Sequence, residues 1–231
     1  METTEIRKLV ALEDRHWWYR GRRALLAREL RHFGIPGRAL DIGAAGGGNT
    51  RVLEDHGWLA TAVDYSTDAV KMALGRGLHA IQADARDLPI ESGAVDLVVA
   101  FDVLEHIDED YLAAEEIVRV LRPGGHALIA VPCDMALWSA HDDAVGHVRR
   151  YTRQSLTEVA QKAGLTIDRL WSWNVLLRPV CAWRRRGSTG SDLSEPPGAV
   201  NLALSAIVSA ERFLPVGGLP GVSLVMRAHR A

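Results

Sequence analysis

The sequence predicts an α/β fold: a doubly wound, mostly parallel sheet with helices on both faces. Three observations carry this. Short apolar runs alternate with stretches of helical periodicity through the middle of the chain. A loop made almost wholly of Gly and Ala, residues 43–48, follows the first of those runs. The 231 residues, 48% apolar and 24% charged, have the ordinary composition of one large globular domain.

Residues 4–32 read as helical, with Ile6, Leu9, Val10 and then Leu25, Leu26, Leu30 at helical spacing. The cluster His16-Trp17-Trp18-Tyr19, followed by Arg20, Arg22 and Arg23, is expected to interrupt them. Gly34-Ile35-Pro36-Gly37 then punctuates the chain. Strands are expected at Ala39–Ile42, Leu59–Val63, Ala80–Gln82, Val95–Ala100 and His126–Val131. Helices fit between them at Thr50–His56, Ser66–Arg76 and Asp108–Leu121, the last stopped by Arg122-Pro123-Gly124-Gly125. Residues 132–152 read as a polar, aromatic loop. A helix at Arg153–Ala163 ends at Gly164, and strands follow at Thr166–Trp173 and Val222–His229. Between those strands lie the basic run 184–186, a flexible stretch at 187–198 and a helix at 199–214. That helix is expected to group Asn201, Ser205, Ser209 and Arg212 on one face. The chain thus divides into a helical cap (1–35), a core (36–171), an insertion (172–221) and a last strand (222–231).

A net charge of −2 argues against nucleic-acid binding through overall positive charge. Two distant cysteines, Cys133 and Cys181, suit a reducing cytoplasm rather than a disulfide scaffold. The first twenty residues hold no apolar core of a signal peptide. No apolar run reaches the roughly 18 residues that span a bilayer.

The glycine loop is the centre of the functional reading. Without side chains, a turn from strand to helix lets backbone approach a ligand closely. The helix after it offers free N–H groups. In open α/β sheets ligands lie at the carboxyl ends of the strands. A dinucleotide fingerprint places glycine where Ala45 stands, and no Gly-Lys-Ser/Thr follows for a phosphate loop. Asp41 would repel a pyrophosphate and suits a cationic ligand.

On these residues, LDIGAAGGGNT resembles the first motif of the class I S-adenosylmethionine-dependent methyltransferases, with Ala45 at the usual middle glycine. Further segments follow in family order: AVDYS with Asp64, QADARDLP with Asp84, VVAFDVLEHI from Asp102 to His106, and LRPGGHALIAVP. The resemblance spans residues 36–171. It implies a Rossmann-like seven-stranded sheet with an antiparallel last strand, S-adenosylmethionine as cofactor and S-adenosylhomocysteine as product. Carried-over cofactor positions are Asp41, Gly43, Ala45, Gly47, Asp64, Tyr65, Asp84, Ala85 and Asp102. Asp64 is the expected acceptor for two ribose hydroxyls, and Asp84 the partner of the adenine amino group. HWWYRGRR and GHVRRYT resemble a branch of small bacterial methyltransferases.

Around this core, Tyr19 and Arg22 or Arg23 suit a lid that meets the methionine carboxylate. Equally, the aromatics suit a helix face packed on the core. His106 and His147 are candidate general bases, with Tyr151 beside them, and each also fits a structural role. His141, Asp143 and His147 fit no tight metal template, so no metal is expected. Residues 172–221 suit a lid over the pocket or a dimer interface; a bilayer contact serving a lipid-linked acceptor is the alternative. The acceptor is expected to be a small or medium-sized molecule with an O, N or C nucleophile, handled by a monomer or homodimer. Two rival readings stand: a nicotinamide-dependent oxidoreductase with a divergent loop, and a non-catalytic cofactor-binding regulatory partner.

Overall fold

A computed structural model describes residues 3–185, 190 and 196–231. Arg186 and most of the 187–198 stretch, read above as a basic and then flexible segment, lie outside the described residues. Seven strands form one sheet: β1 (Arg38–Ile42), β2 (Leu59–Asp64), β3 (Ala80–Gln82), β4 (Val95–Phe101), β5 (Leu121–Pro132), β6 (Leu165–Trp173) and β7 (Ser223–Arg230). Their order is β3-β2-β1-β4-β5-β7-β6. β1 to β5 pair in parallel. β7 runs antiparallel to both β5 and β6. The order reverses between β1 and β4, which opens a crevice at their carboxyl ends.

Both faces of the sheet are covered because successive residues point to opposite sides. Leu40, Ile42, Val98 and Ala100 share one core with Ala113, Ile117 and Val120 of α5 (Asp110–Val120), and with Leu156 and Ala160 of α7 (Arg153–Ala163). Ala39, Leu97, Val99 and Phe101 face the other core. There they meet Leu25 and Leu26 of α2 (Trp17–Glu29) and Leu53 of α3 (Gly48–Asp55). α4 (Thr67–Gly75) covers Ala62 through Ala73, its first turn capped by Ser66.

Several boundaries move. The helix expected to reach Leu121 ends at Val120, and β5 begins at Leu121. The helical stretch is broken at 13–16, and of the aromatic cluster only His16 belongs to the break. The His16 side chain accepts from Trp18 N at the start of α2, so Trp17 to Tyr19 form its first turn, preceded by α1 (Thr3–Leu12). The 132–152 loop contains a short helix, α6 (Ala140–Val145), fixed by a reciprocal capping box between Ser139 and Asp142 and ended by left-handed Gly146.

Between β6 and β7 the chain forms α8 (Arg178–Arg185) and α9 (Gly198–Glu211). Asn201 does not join an outward polar face. Its Oδ1 accepts from Trp17 N at 2.8 Å and its Nδ2 donates to Arg15 O at 2.8 Å, which ties α9 to the head of α2. Buried Glu211 at the other end of α9 accepts from Leu176 N at 2.9 Å. Among the described residues no helix is long and apolar enough to cross a membrane.

Candidate active site

A cavity of about 680 Å³ opens at the carboxyl ends of β1, β2 and β4. That size suits a drug-sized ligand. α2 flanks it, and residues from 141–150 and from α8 close its far side.

At one end stands the glycine loop. The chain must turn from β1 into α3 within five residues. Gly43 and Gly47 make the turn with φ of 72° and 81°. A Cβ on Gly43 would run into Val103 Cγ2, and one on Gly47 into Leu78 Cδ1. Ala45 keeps the left-handed backbone that a glycine would take, φ 46°, at a cost an L side chain normally avoids. Its N–H donates to Asp64 Oδ2 at 2.9 Å. Gly43, Ala45 and the start of α3 line the cavity.

Asp41 and Gly47 do not belong to the lining. Asp41, only 1% exposed, lies behind the loop and accepts from Thr50 Oγ1 at 2.7 Å. Its Oδ1 has no hydrogen-bond partner among the described residues. Burial, more than the nearby Asp64 charge, pushes its pKa up to about 7. Asp41 therefore acts through the loop, by holding the first turn of α3.

Asp64 does line the cavity, at the tip of β2. One oxygen accepts from Ala45 N and the other from Ser66 N at 2.8 Å, so each retains a lone pair for a ligand hydroxyl. Burial raises its pKa. Tyr65 beside it is exposed and lines the rim. Asp84 and Ala85 also line it, but the Arg86 side chain takes both Asp84 oxygens, at 2.7 to 3.2 Å, and holds that carboxyl below its usual range.

Asp102 leaves β4 with φ 56° and accepts from Arg22 Nη2 at 2.6 Å. Arg22 is buried, its guanidinium 4.5 Å from the Trp173 ring centroid and 5.0 Å from that of Trp18. It also donates to Ser223 Oγ at 3.0 Å, while its Nε and Nη1 have no hydrogen-bond partner among the described residues. Tyr19, Arg22 and Arg23 all face the cavity. Arg23 is committed to Glu13 O.

The far wall brings together residues from three segments. His106 Nδ1 donates to Gly146 O at 3.1 Å, and burial followed by the neighbouring His147 lowers its pKa to about 4. His147 Nδ1 meets Asp142 Oδ1 at 2.8 Å, and its Nε2 lies 3.8 Å from Glu105 Oε1. Asp142 also receives Arg150 Nε and Nη2 at 2.8 and 3.0 Å. Ligand-capable atoms of Glu105, His106 and His147 fall within 4.8 Å of one another, whereas the sequence had singled out His141, Asp143 and His147. Asp143 lies outside the lining, where it accepts from Trp138 Nε1.

Tyr151 does not reach this wall. It is 1% exposed, outside the lining, and donates to Asp110 Oδ2 at 2.5 Å; burial raises its pKa away from any catalytic range. The segment that carries it folds back along β5, with Tyr151 N donating to Pro132 O at 2.9 Å, and this turns the ring into the core. Glu105 and Asp142 are the residues that sequence reasoning passed over, and Arg150, which the sequence offers for an anionic substrate or for solvent, is buried against Asp142 instead. The spacing of Asp142, His147 and Arg150 across a short helix and its glycine stop was the available signal.

Residues 40–129 match the family model described as "Methyltransferase domain". Residues 40–129 therefore carry a methyltransferase domain, similar to that of S-adenosylmethionine-dependent methyltransferases. A Mycolicibacterium smegmatis protein named "Probable S-adenosylmethionine-dependent methyltransferase" is 26% identical over 166 residues, 70% of this chain and 64% of its own length. The malonyl-[acyl-carrier protein] O-methyltransferase of Enterobacter lignolyticus is 32% identical over 142 residues, 58% of this chain and 55% of that protein. The chain thus spans less than two thirds of these curated relatives. A solved S-adenosylmethionine-dependent methyltransferase from Thermotoga maritima shares the fold of the methyltransferase domain, with a TM-score of 0.65 and 15% identity over 99% of this chain and 96% of that one.

Proposed function

We propose that the protein transfers a methyl group from S-adenosylmethionine to a nucleophile on a small or medium-sized molecule. The observation that carries this is the pairing of a side-chain-poor loop with Asp64. The loop's own Ala45 N–H orients that carboxylate at the tip of β2. The remaining lone pairs of Asp64 and the nitrogens of buried Arg22 that have no hydrogen-bond partner among the described residues fit the cofactor: carboxylate acceptors for its ribose at one end and a cation for its methionine carboxylate at the other. When bound, S-adenosylmethionine supplies a methyl group on a sulfonium, whose C–S bond breaks with the electron pair retained by sulfur.

The chain's own residues do the rest. Gly43, Ala45, Asp64, Tyr65, Asp84 and Ala85 seat the nucleoside. Asp102, Tyr19 and Arg22 hold the amino-acid end. His106 and His147 face the acceptor, where alignment and proton removal supply the rate. Residues 1–35 act as a cap. The 172–221 insertion is read as a lid, since Cys181, Arg184 and Arg185 of α8 line the cavity while α9 braces α2.

Calorimetric titration tests the reading. S-adenosylhomocysteine should bind with one-to-one stoichiometry, and Asp64→Ala should weaken it by about tenfold or more, the loss of a charge-assisted contact. NADH binding in place of S-adenosylhomocysteine would establish the oxidoreductase instead.

A further inference from the structure

The far wall of the cavity holds more than two histidines, and its bonding distinguishes them. His106 spends Nδ1 on a backbone carbonyl, Gly146 O, rather than on a carboxylate. His147 spends Nδ1 on Asp142, a fully buried carboxylate whose other contacts are Arg150, Ser139 and Arg185. A buried acid accepting from Nδ1–H fixes the imidazole tautomer, leaves Nε2 as an acceptor, and stabilises the ring once it gains a proton.

Across from that Nε2 lies Glu105, 0% exposed, on the cavity wall. Neither of its carboxylate oxygens has a hydrogen-bond partner among the described residues. An ionised carboxylate so placed would carry its full desolvation penalty. Burial, and next the charge of Asp102, raise its pKa well above the ordinary value against the opposing pull of Arg22 and Arg150. The 3.8 Å between Glu105 Oε1 and His147 Nε2 is too long for a hydrogen bond.

Resting on the methyl-transfer reading above, we infer that His147, positioned by Asp142, takes the proton of a hydroxyl acceptor, and that Glu105 donates a hydrogen bond to that acceptor from the opposite side. In this step the acceptor O–H bond breaks, its proton goes to His147 Nε2, and the freed oxygen electron pair bonds the incoming methyl carbon. After release the proton passes to water. Asp142 does not touch the acceptor and is a positioning residue.

Charge on the wall selects the acceptor class. Asp142 is matched by Arg150, and Arg184 and Arg185 add two further cations to the lining. Such surroundings favour a developing oxyanion and oppose an ammonium group. A carboxylate acceptor is already ionised near pH 7, so the Asp142–His147 pair would have no proton to remove.

The test uses the full chain with S-adenosylhomocysteine bound. Ring-nitrogen NMR of ¹⁵N-histidine-labelled protein at pH 7 should show His147 with its proton on Nδ1 and none on Nε2. Asp142→Asn should spread that proton over both tautomers, while His106→Asn should leave the His147 tautomer unchanged. A doubly protonated His147 facing an ionised Glu105, or a tautomer indifferent to Asp142→Asn, overturns the inference. A second arm offers S-[methyl-³H]adenosylmethionine with phenol, benzylamine and benzoate as probe acceptors. Label should enter phenol. Asp142→Asn should then lower kcat by about tenfold with KM unchanged, and His147→Gln by about a hundredfold. Glu105→Gln, still a neutral donor, should retain more activity than Glu105→Ala. Label in benzoate or benzylamine ahead of phenol, or none in phenol, overturns the hydroxyl assignment. If wild-type protein fails to bind S-adenosylhomocysteine, the methyl-transfer reading itself fails; binding with the wrong probe labelled rejects only the inference about the wall.

Discussion

At the loop end of the cavity, Asp41, Gly43, Ala45 and Asp64 bond to groups a few residues away or on the adjacent strand: Thr50, Ser66 and the loop's own amide. At the far wall, Glu105, Asp142, His147 and Arg150 come from the exit of β4, from α6 and from the residues that follow it, and they gather in a nearly dry interior. The first end is a backbone device, in which side chains are removed or turned to hold main chain. The second is a side-chain device, in which charge is buried and balanced. Backbone geometry tolerates a conservative change such as glycine to alanine at position 45. A buried charge network tolerates the loss of no single member.

Substitution should separate the two ends. The largest effect is expected for Asp142→Ala, which leaves the fully buried Arg150 guanidinium without its partner. Thermal or urea unfolding should register a loss of about 3–5 kcal/mol. The solvent-accessible Asp84–Arg86 pair offers the control, since water screens it and Asp84→Ala should cost only a small fraction of that. Equal losses would erase the contrast.

Next in size, Gly43→Ala should weaken S-adenosylhomocysteine binding by about tenfold or more in calorimetry, since it adds left-handed strain and overlap with Val103. Unaltered affinity would show that the loop yields more readily than its glycines imply.

Asp41 should leave a pH signature. Its folded-state pKa of about 7 stands above the ordinary 3.8. The folded protein therefore holds a proton that the unfolded chain releases, and stability falls as pH rises through that window. Asp41→Asn should flatten the slope of urea-unfolding free energy between the ordinary value and the raised one. An unchanged slope would mean that other groups set it.

The smallest effect belongs to Ala45→Gly. Relief of the left-handed alanine, partly offset by a freer unfolded chain, should raise stability by about 0.5–1 kcal/mol in the same measurement. A loss instead would show that the methyl group packs usefully against the cavity rim.

Seven strands, their alternation with helices, the glycine turn, and Asp64 and Asp84 on strand tips were legible in the sequence because each depends on local periodicity or on a short spacing. Asp102 and Arg22 were legible singly, but their 2.6 Å pairing joins residues 80 positions apart. Tyr151 follows His147 by four residues in what reads as one loop, so the two were expected side by side. The hydrogen bond from the Tyr151 amide to Pro132 O decides otherwise, because it sends the ring away from the cavity.

What the sequence by itself determined is the order and type of the elements and the backbone cradle at the tips of β1 and β2. Hydrophobic period, turn residues and glycine placement act over a few residues and need no distant partner. What only the tertiary structure decided is the far wall: which histidine has a carboxylate behind it, that Glu105 is buried without a hydrogen-bond partner among the described residues, and that Tyr151 belongs to the core. Burial and charge pairing depend on which segments the sheet brings together, and the spacing of Asp142, His147 and Arg150 acquires its meaning only there.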